Sequence, residues 1–207
     1  MAATRIYKLS TCLARMLVLA ALVVPSTAIA GGWNSEPTVR QLERLVRTEP
    51  YIRYFTSLEY GSNGASIPAE YIRALILTES GGDAAARSGR GARGLTQIIA
   101  RTGAAAVDEI LADGYDYLYI DEAALAHFDA EDLHDPALNI LIACRLSAHY
   151  FARWNGSTDH VVAAWNAGPT AVVVHGNQPP PYRETRDLIT RVKTYMRYLD
   201  TEYLASN

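Results

Sequence analysis

The sequence predicts a mainly α-helical fold organised as one domain, and three observations carry that prediction. Apolar residues recur at helical spacing along most of the chain, as in Leu138, Leu141, Ile142, Leu146, Tyr150 and Phe151. Helix-opening signals, Pro68 and Asp135-Pro136, precede such runs, and glycine clusters follow them. Strand-like alternation is confined to one segment, where Tyr115, Tyr117 and Tyr119 alternate with Asp116, Leu118 and Ile120. A length of 207 residues suits one domain with short extensions, and an apolar share of 49% is ample for a packed core.

The elements follow in order. Residues 1–30 read as an export signal: Arg5, Lys8 and Arg15 are basic, Leu13 to Val24 is apolar apart from Arg15, and Ala28 and Ala30 fit an A-x-A cleavage site. The apolar run falls short of the roughly 20 residues of a membrane span, so cleavage after Ala30 is expected rather than an anchor. Residues 36–59 form a first helical stretch with Val39, Leu42 and Val46 on one face, and Pro50 is expected to interrupt it. Gly61-Ser62-Asn63-Gly64 is a turn cluster, and Pro68 opens a helix to about Glu79. Ser80 to Gly94 is a glycine-rich loop holding Arg87, Arg90 and Arg93, and Leu95 to about Leu111 reads as helix. Residues 113–134 are expected to hold a short strand pair or an irregular loop, whose tyrosines are expected to form a wall or lid of the cleft. Asp135-Pro136 opens the longest expected helix, to about Trp154; Asp159 caps a short helix to Ala167; Pro179 to Pro181 is extended; Arg183 to Leu204 is a terminal helix.

Charge and cysteine content narrow the function classes. The formal charge is −3, and loss of three basic residues with residues 1–30 takes it to −6 over the remaining 177 residues. No basic stripe of the kind a phosphate backbone needs is present, so nucleic acid is not an expected partner. Cys12 leaves with the signal, and Cys144, alone in an apolar helical pattern, reads as a buried small hydrophobe. The five histidines show no metal-ligand spacing, so neither a metal nor a cofactor is expected.

Glu79 is the most informative residue. It ends the apolar run Tyr71-Ile72-Arg73-Ala74-Leu75-Ile76-Leu77-Thr78 and is followed by Ser80-Gly81-Gly82. A carboxylate stepping off a buried helix onto a glycine turn is placed to face a cleft with a raised pKa, as a general acid requires. Four further patterns follow it: Ser88…Gly91-Ala92…Gly94-Leu95-Thr96-Gln97, Asp135-Pro136…Asn139-Ile140, Ala163-Ala164-Trp165-Asn166-Ala167-Gly168-Pro169, and Pro181…Glu184-Thr185. In this order they resemble the successive motifs of the Slt-type lytic transglycosylase family, over about residues 66–200.

The resemblance implies a mainly α, lysozyme-like (goose-type, Slt) helical domain over residues 66–207, preceded by a helical extension over 31–65. With the export signal placing the protein in a periplasm or outside the cell, it implies cleavage of the β-1,4 bond between N-acetylmuramic acid and N-acetylglucosamine that leaves a 1,6-anhydro sugar. Glu79 takes the position of the single catalytic acid and base. Ser80, Gln97, Trp165, Asn166, Tyr182 and Glu184 take substrate-facing positions. The partners implied are peptidoglycan glycan strands and, for small exported enzymes of this kind, a secretion or conjugation apparatus of the cell envelope. Two positions depart from the family pattern: Thr96 stands where Met is usual, and Leu188 where a tyrosine hydroxyl supports the acid, leaving Tyr182 or Tyr195 as candidate substitutes. Trp165 also replaces a usual Tyr. Two rival readings stay open. Asp83 is a candidate to position water for a lysozyme-like hydrolysis, with a turn-forming role as its alternative. The departure at Leu188 also fits a non-catalytic, peptidoglycan-binding envelope protein.

Overall fold

Two antiparallel helices, one amphipathic and one apolar on every side, set the frame. A computed structural model describes residues 36–61 and 66–205. The expected export signal and most of the Gly61 to Gly64 turn cluster lie outside the described residues. The first helix, Val39–Thr56 (α1), opens with a capping box in which Thr38 and Gln41 satisfy each other's backbone N–H groups. The second, Ala69–Glu79 (α2), buries every residue from Tyr71 to Leu77. A helix apolar on all sides has to be surrounded, and α2 is packed by α1, by Pro136–Arg153 (α5) and by the terminal helix. The charge that does enter this core is matched: Arg73 donates to Glu49 of α1 at 3.0 and 2.5 Å.

Pro50 does not interrupt α1, contrary to expectation. It lies on the exposed face, while Leu45, Thr48, Ile52 and Phe55 bury the opposite face through both halves. The strand pair lies elsewhere than expected. Ala92–Arg93 (β1) and Ile98–Ile99 (β2) form a short antiparallel hairpin across Gly94-Leu95-Thr96-Gln97, and the helix expected from Leu95 begins only at Ala100, running to Asp113 (α3).

Residues 113–134 hold no strand. Tyr117 and Ile120 close a turn, Glu122–Leu125 (α4) is one helical turn, and Ala130–His134 is a 3-10 helix capped by Asp129. The tyrosines pack on the last turns of α1: Tyr119 meets Tyr51 and Tyr54 edge-on at 5.0 and 5.4 Å, and the Tyr54 hydroxyl accepts from Leu118 N–H at 3.1 Å. This corrects their expected place beside the cleft. Glu79 adjoins the opposite end of α1, because Gly81 and Gly82 rest on Gln41 and Arg44. Ten residues of helix, about 15 Å, separate Arg44 from Tyr54.

The remaining helices complete the unit Ser35–Asn207. Asp135 caps α5 by accepting from Leu138 N–H at 2.8 Å, with Pro136 in the first turn. Ser157, not Asp159, stands at the N-cap of Thr158–Ala167 (α6), its hydroxyl paired with His160 Nδ1 at 2.7 Å and not with the helix backbone; Pro169–Val174 (α7) is short, and Arg183–Ala205 (α8), not α5, is the longest described helix. α8 lies along α2 and α6. Cys144 is a buried free thiol. Among the described residues no helix is long and apolar enough to cross a membrane.

One buried side chain ties these parts together. Asn139 on α5 is fully buried. Its amide donates to the carbonyls of Leu133 and Arg93 at 2.9 and 3.2 Å, and its Oδ1 accepts from the Thr96 N–H and hydroxyl at 3.0 and 2.7 Å. Gly94 has φ +76°, and a Cβ there would overlap the Leu133 carbonyl and the Asn139 amide. Asn139→Ala strands several buried polar groups and is expected to cost about 2–4 kcal/mol, and Gly94→Ala at least as much. Urea denaturation reads both, and a wild-type midpoint for Asn139→Ala would refute the linking role.

Candidate active site

The end of α2 is fixed from several directions. Ser80 N–H and Gly81 N–H donate to the carbonyls of Ile76 and Leu77, at 3.1 and 3.2 Å, and the Ser80 hydroxyl donates to Ile76 at 3.2 Å. The chain then turns through Gly81 and Gly82 at φ +60° and +78°, where a side chain would collide with Gln41 or Arg44. Asp83 belongs to this turn: its Oδ1 accepts from Ala85 N–H at 3.1 Å and its Oδ2 lies 3.3 Å from Arg44.

Glu79 is thereby held half-buried at the helix end. Burial is the largest influence and pushes its carboxyl up to about 7 from an ordinary 4.5. Glu184 on α8 adds to this by like-charge repulsion, while the Trp165 indole, a hydrogen-bond donor nearby, and the Arg191 guanidinium both favour the charged form. Glu79, Trp165 and Glu184, three of the residues singled out in the sequence, are therefore electrostatically joined.

The other expected site residues hold the frame around them. Asn166 follows Trp165 at the end of α6, and its Oδ1 accepts from the buried Thr185 hydroxyl at 2.6 Å, tying α6 to the start of α8 beside Glu184. Gln97 has φ +54°, and its amide donates to Gly94 and Ala86 carbonyls at 2.9 and 3.3 Å, joining the hairpin turn to the loop that leaves Glu79. Tyr182 is half exposed and stands edge-on to His175 at 5.5 Å. Tyr195 is buried in α8. Leu188 offers no donor, and the side chain that favours the charged acid is Trp165 instead. Thr96 is wholly buried and serves Asn139 rather than a cleft.

Arg191 escaped the sequence reading. The available signal was its spacing, seven residues after Glu184, which puts both on one face of α8. A separate cavity of about 480 Å³, lined by Arg153, Trp154, Asn155, His160 and Asn177, lies at the opposite end of α6 from Trp165 and contains none of the expected site residues.

Comparison with known proteins gives the family and the fold. Residues 58–180, more than half of the chain, match the family model described as the transglycosylase SLT domain. The 70 kDa soluble lytic transglycosylase of Escherichia coli superposes with a TM-score of 0.56 at 26% identity, over 72% of this chain and 23% of that one. The complex of the 70 kDa soluble lytic transglycosylase with bulgecin A gives 0.59 at 24%, over 79% and 25%. An inactive mutant of the Pseudomonas aeruginosa lytic transglycosylase Slt gives 0.55 at 21%, over 79% and 24%, a likeness of fold. The chain thus spans about a quarter of the length of these enzymes. A family model that spans both the Glu79 helix end and the Trp165-Asn166 segment makes this chain a member of the Slt-type lytic transglycosylase family.

Proposed function

We propose that the protein, exported and freed of residues 1–30, is a peptidoglycan lytic transglycosylase with Glu79 as its single acid and base. The observation that carries this reading is a half-buried carboxyl pushed up to about 7 at the end of α2, near Trp165 and within the segment that matches the family model. Such a group is protonated often enough to act as an acid and releases its proton readily enough to act next as a base. In the first step Glu79 gives its proton to the glycosidic oxygen as the bond to the muramic acid C1 breaks. The 2-acetamido oxygen of the same sugar closes on C1 and carries the positive charge. In the second step the Glu79 carboxylate takes the proton from the 6-hydroxyl. That oxygen then attacks C1, expels the acetamido oxygen and forms the 1,6-anhydro ring. No water is consumed and Glu79 regains its proton.

The hydrolytic alternative through Asp83 finds little support, since that carboxylate accepts from its own turn and pairs with Arg44. The mass of the products separates the two reactions, because the anhydro product is one water lighter. Glu79→Gln retains shape and removes the proton, so muropeptide release from purified sacculi should fall by about three orders of magnitude. Release at the wild-type rate would sink the assignment.

The raised pKa sets the pH dependence. Activity requires the protonated form, so kcat/KM should fall as pH rises through about 7. Trp165→Phe removes a donor that favours the charged form. The alkaline limb should therefore move to higher pH, and the rate at the optimum should drop about tenfold as the carboxyl loses its orientation. An unmoved limb would exclude the indole from tuning Glu79.

Folding stability responds with the sign of a raised carboxyl. The folded state holds the Glu79 proton between pH 4.5 and about 7 while the unfolded chain has lost it, so stability declines as pH rises through that window. Glu79→Gln has no proton to lose and should exceed the wild type by roughly 2–3 kcal/mol at pH 8, with the difference vanishing near pH 4. Urea titrations at both pH values measure it.

A further inference from the structure

Arg87, Arg90, Arg93 and Arg101 follow Glu79 in the sequence, and the structure gives them different tasks. Arg87 donates to both oxygens of Glu131 at 2.8 and 2.7 Å, and Arg93 lies 3.6 Å from the same carboxylate, so these two fasten the loop to the 3-10 helix. Arg101 is an exposed residue of the first turn of α3. Arg90 occupies the tip of a turn over Ser88–Gly91. The Gly91 N–H donates to the Ser88 carbonyl at 3.0 Å, and the Ser88 hydroxyl accepts from Arg90 N–H and Ala92 N–H at 3.3 and 3.0 Å. Its backbone is fixed, yet its side chain is 87% exposed.

That guanidinium extends from the loop after Glu79 to the start of α8, where its Nη1 lies 3.8 Å from the Glu184 carboxylate. Glu184 is the carboxylate whose charge reaches Glu79. Two side chains this open to water hold each other weakly, so another carboxylate can take the place of Glu184. An acidic chain acting on an acidic polymer also needs a local cation where the polymer enters.

We propose that Arg90 is a specificity-determining residue that exchanges Glu184 for a carboxylate of the incoming glycan strand, either the lactyl carboxylate of muramic acid or one on its stem peptide. The inference rests on the reading of the protein as a lytic transglycosylase. A guanidinium suits the task because its planar fork meets both oxygens of a carboxylate.

The test uses three soluble substrates: glycan strands bearing stem peptides, strands stripped of peptide by an amidase so that lactyl carboxylates are free, and stripped strands whose lactyl carboxylates have been converted to neutral amides. Wild-type kcat/KM should favour an acidic strand over the neutral one by about fivefold, the upper end for an exposed charge pair. Preference for stem-bearing strands alone assigns the peptide carboxylate. Preference for the stripped acidic strand alone assigns the lactyl group, and equal preference for both acidic strands shows that Arg90 accepts either carboxylate. Arg90→Gln should bring the ratio to about one, and Arg90→Lys should retain part of it. Equal cleavage of all three strands by the wild type, or a ratio unchanged in Arg90→Gln, overturns the proposal while leaving the enzymatic reading intact. Failure to cleave any of them overturns both.

Discussion

A buried primary amide is tolerable only when all its hydrogen-bonding capacity is met, and that constraint on Asn139 organises the region after Glu79. Its four bonds reach Arg93 in the hairpin, Leu133 in the 3-10 helix and Thr96 in the turn. Gly94 is the residue that leaves room for this approach. With the turn fixed, the Gln97 amide can hold the carbonyls of Gly94 and Ala86. The loop that carries Arg87, Arg90 and Arg93 is then stretched between two rigid anchors, the end of α2 and the face of α5.

The second organising fact is the helix that delivers Glu79. Because α2 is apolar on all sides, its last turn is partly buried, and a carboxylate there pays a desolvation penalty that raises its pKa. Trp165 and Arg191 limit the rise and Glu184 increases it. The balance leaves the group near 7, where one residue can serve in two successive proton transfers. Leu188 on α8 offers no donor to this carboxyl, and it is Trp165 on α6 that favours its charged form.

Much of this was legible in the sequence where the signal is local. The Asp135-Pro136 opening of α5, the run that buries α2 and the glycine turn after Glu79 each follow from side-chain chemistry over a few residues. Local signals failed where a distant contact outweighed them. Pro50 promised a break, but burial on the far face of α1 carries the helix through it. The alternating tyrosines suggested a strand, yet their rings rest on Tyr51 and Tyr54, sixty-odd residues away, and the backbone follows the rings. Leu95 to Gln97 looked helical until Asn139 claimed Thr96.

By itself, the sequence determined the mainly helical class, the ends of most helices, the family and the identity of the carboxylate at the end of the most apolar helix. These depend on periodicity, capping and motif order, which are written residue by residue. Only the tertiary structure decided what surrounds that carboxylate. Desolvation, the indole donor and the opposed charges of Glu184 and Arg191 come from helices far apart in the chain. The same holds for Arg90, whose difference from Arg87 and Arg93 lies wholly in which carboxylate the fold sets before each of them. Electrostatic environment is a property of distances in space, and those distances exist only once the helices have packed.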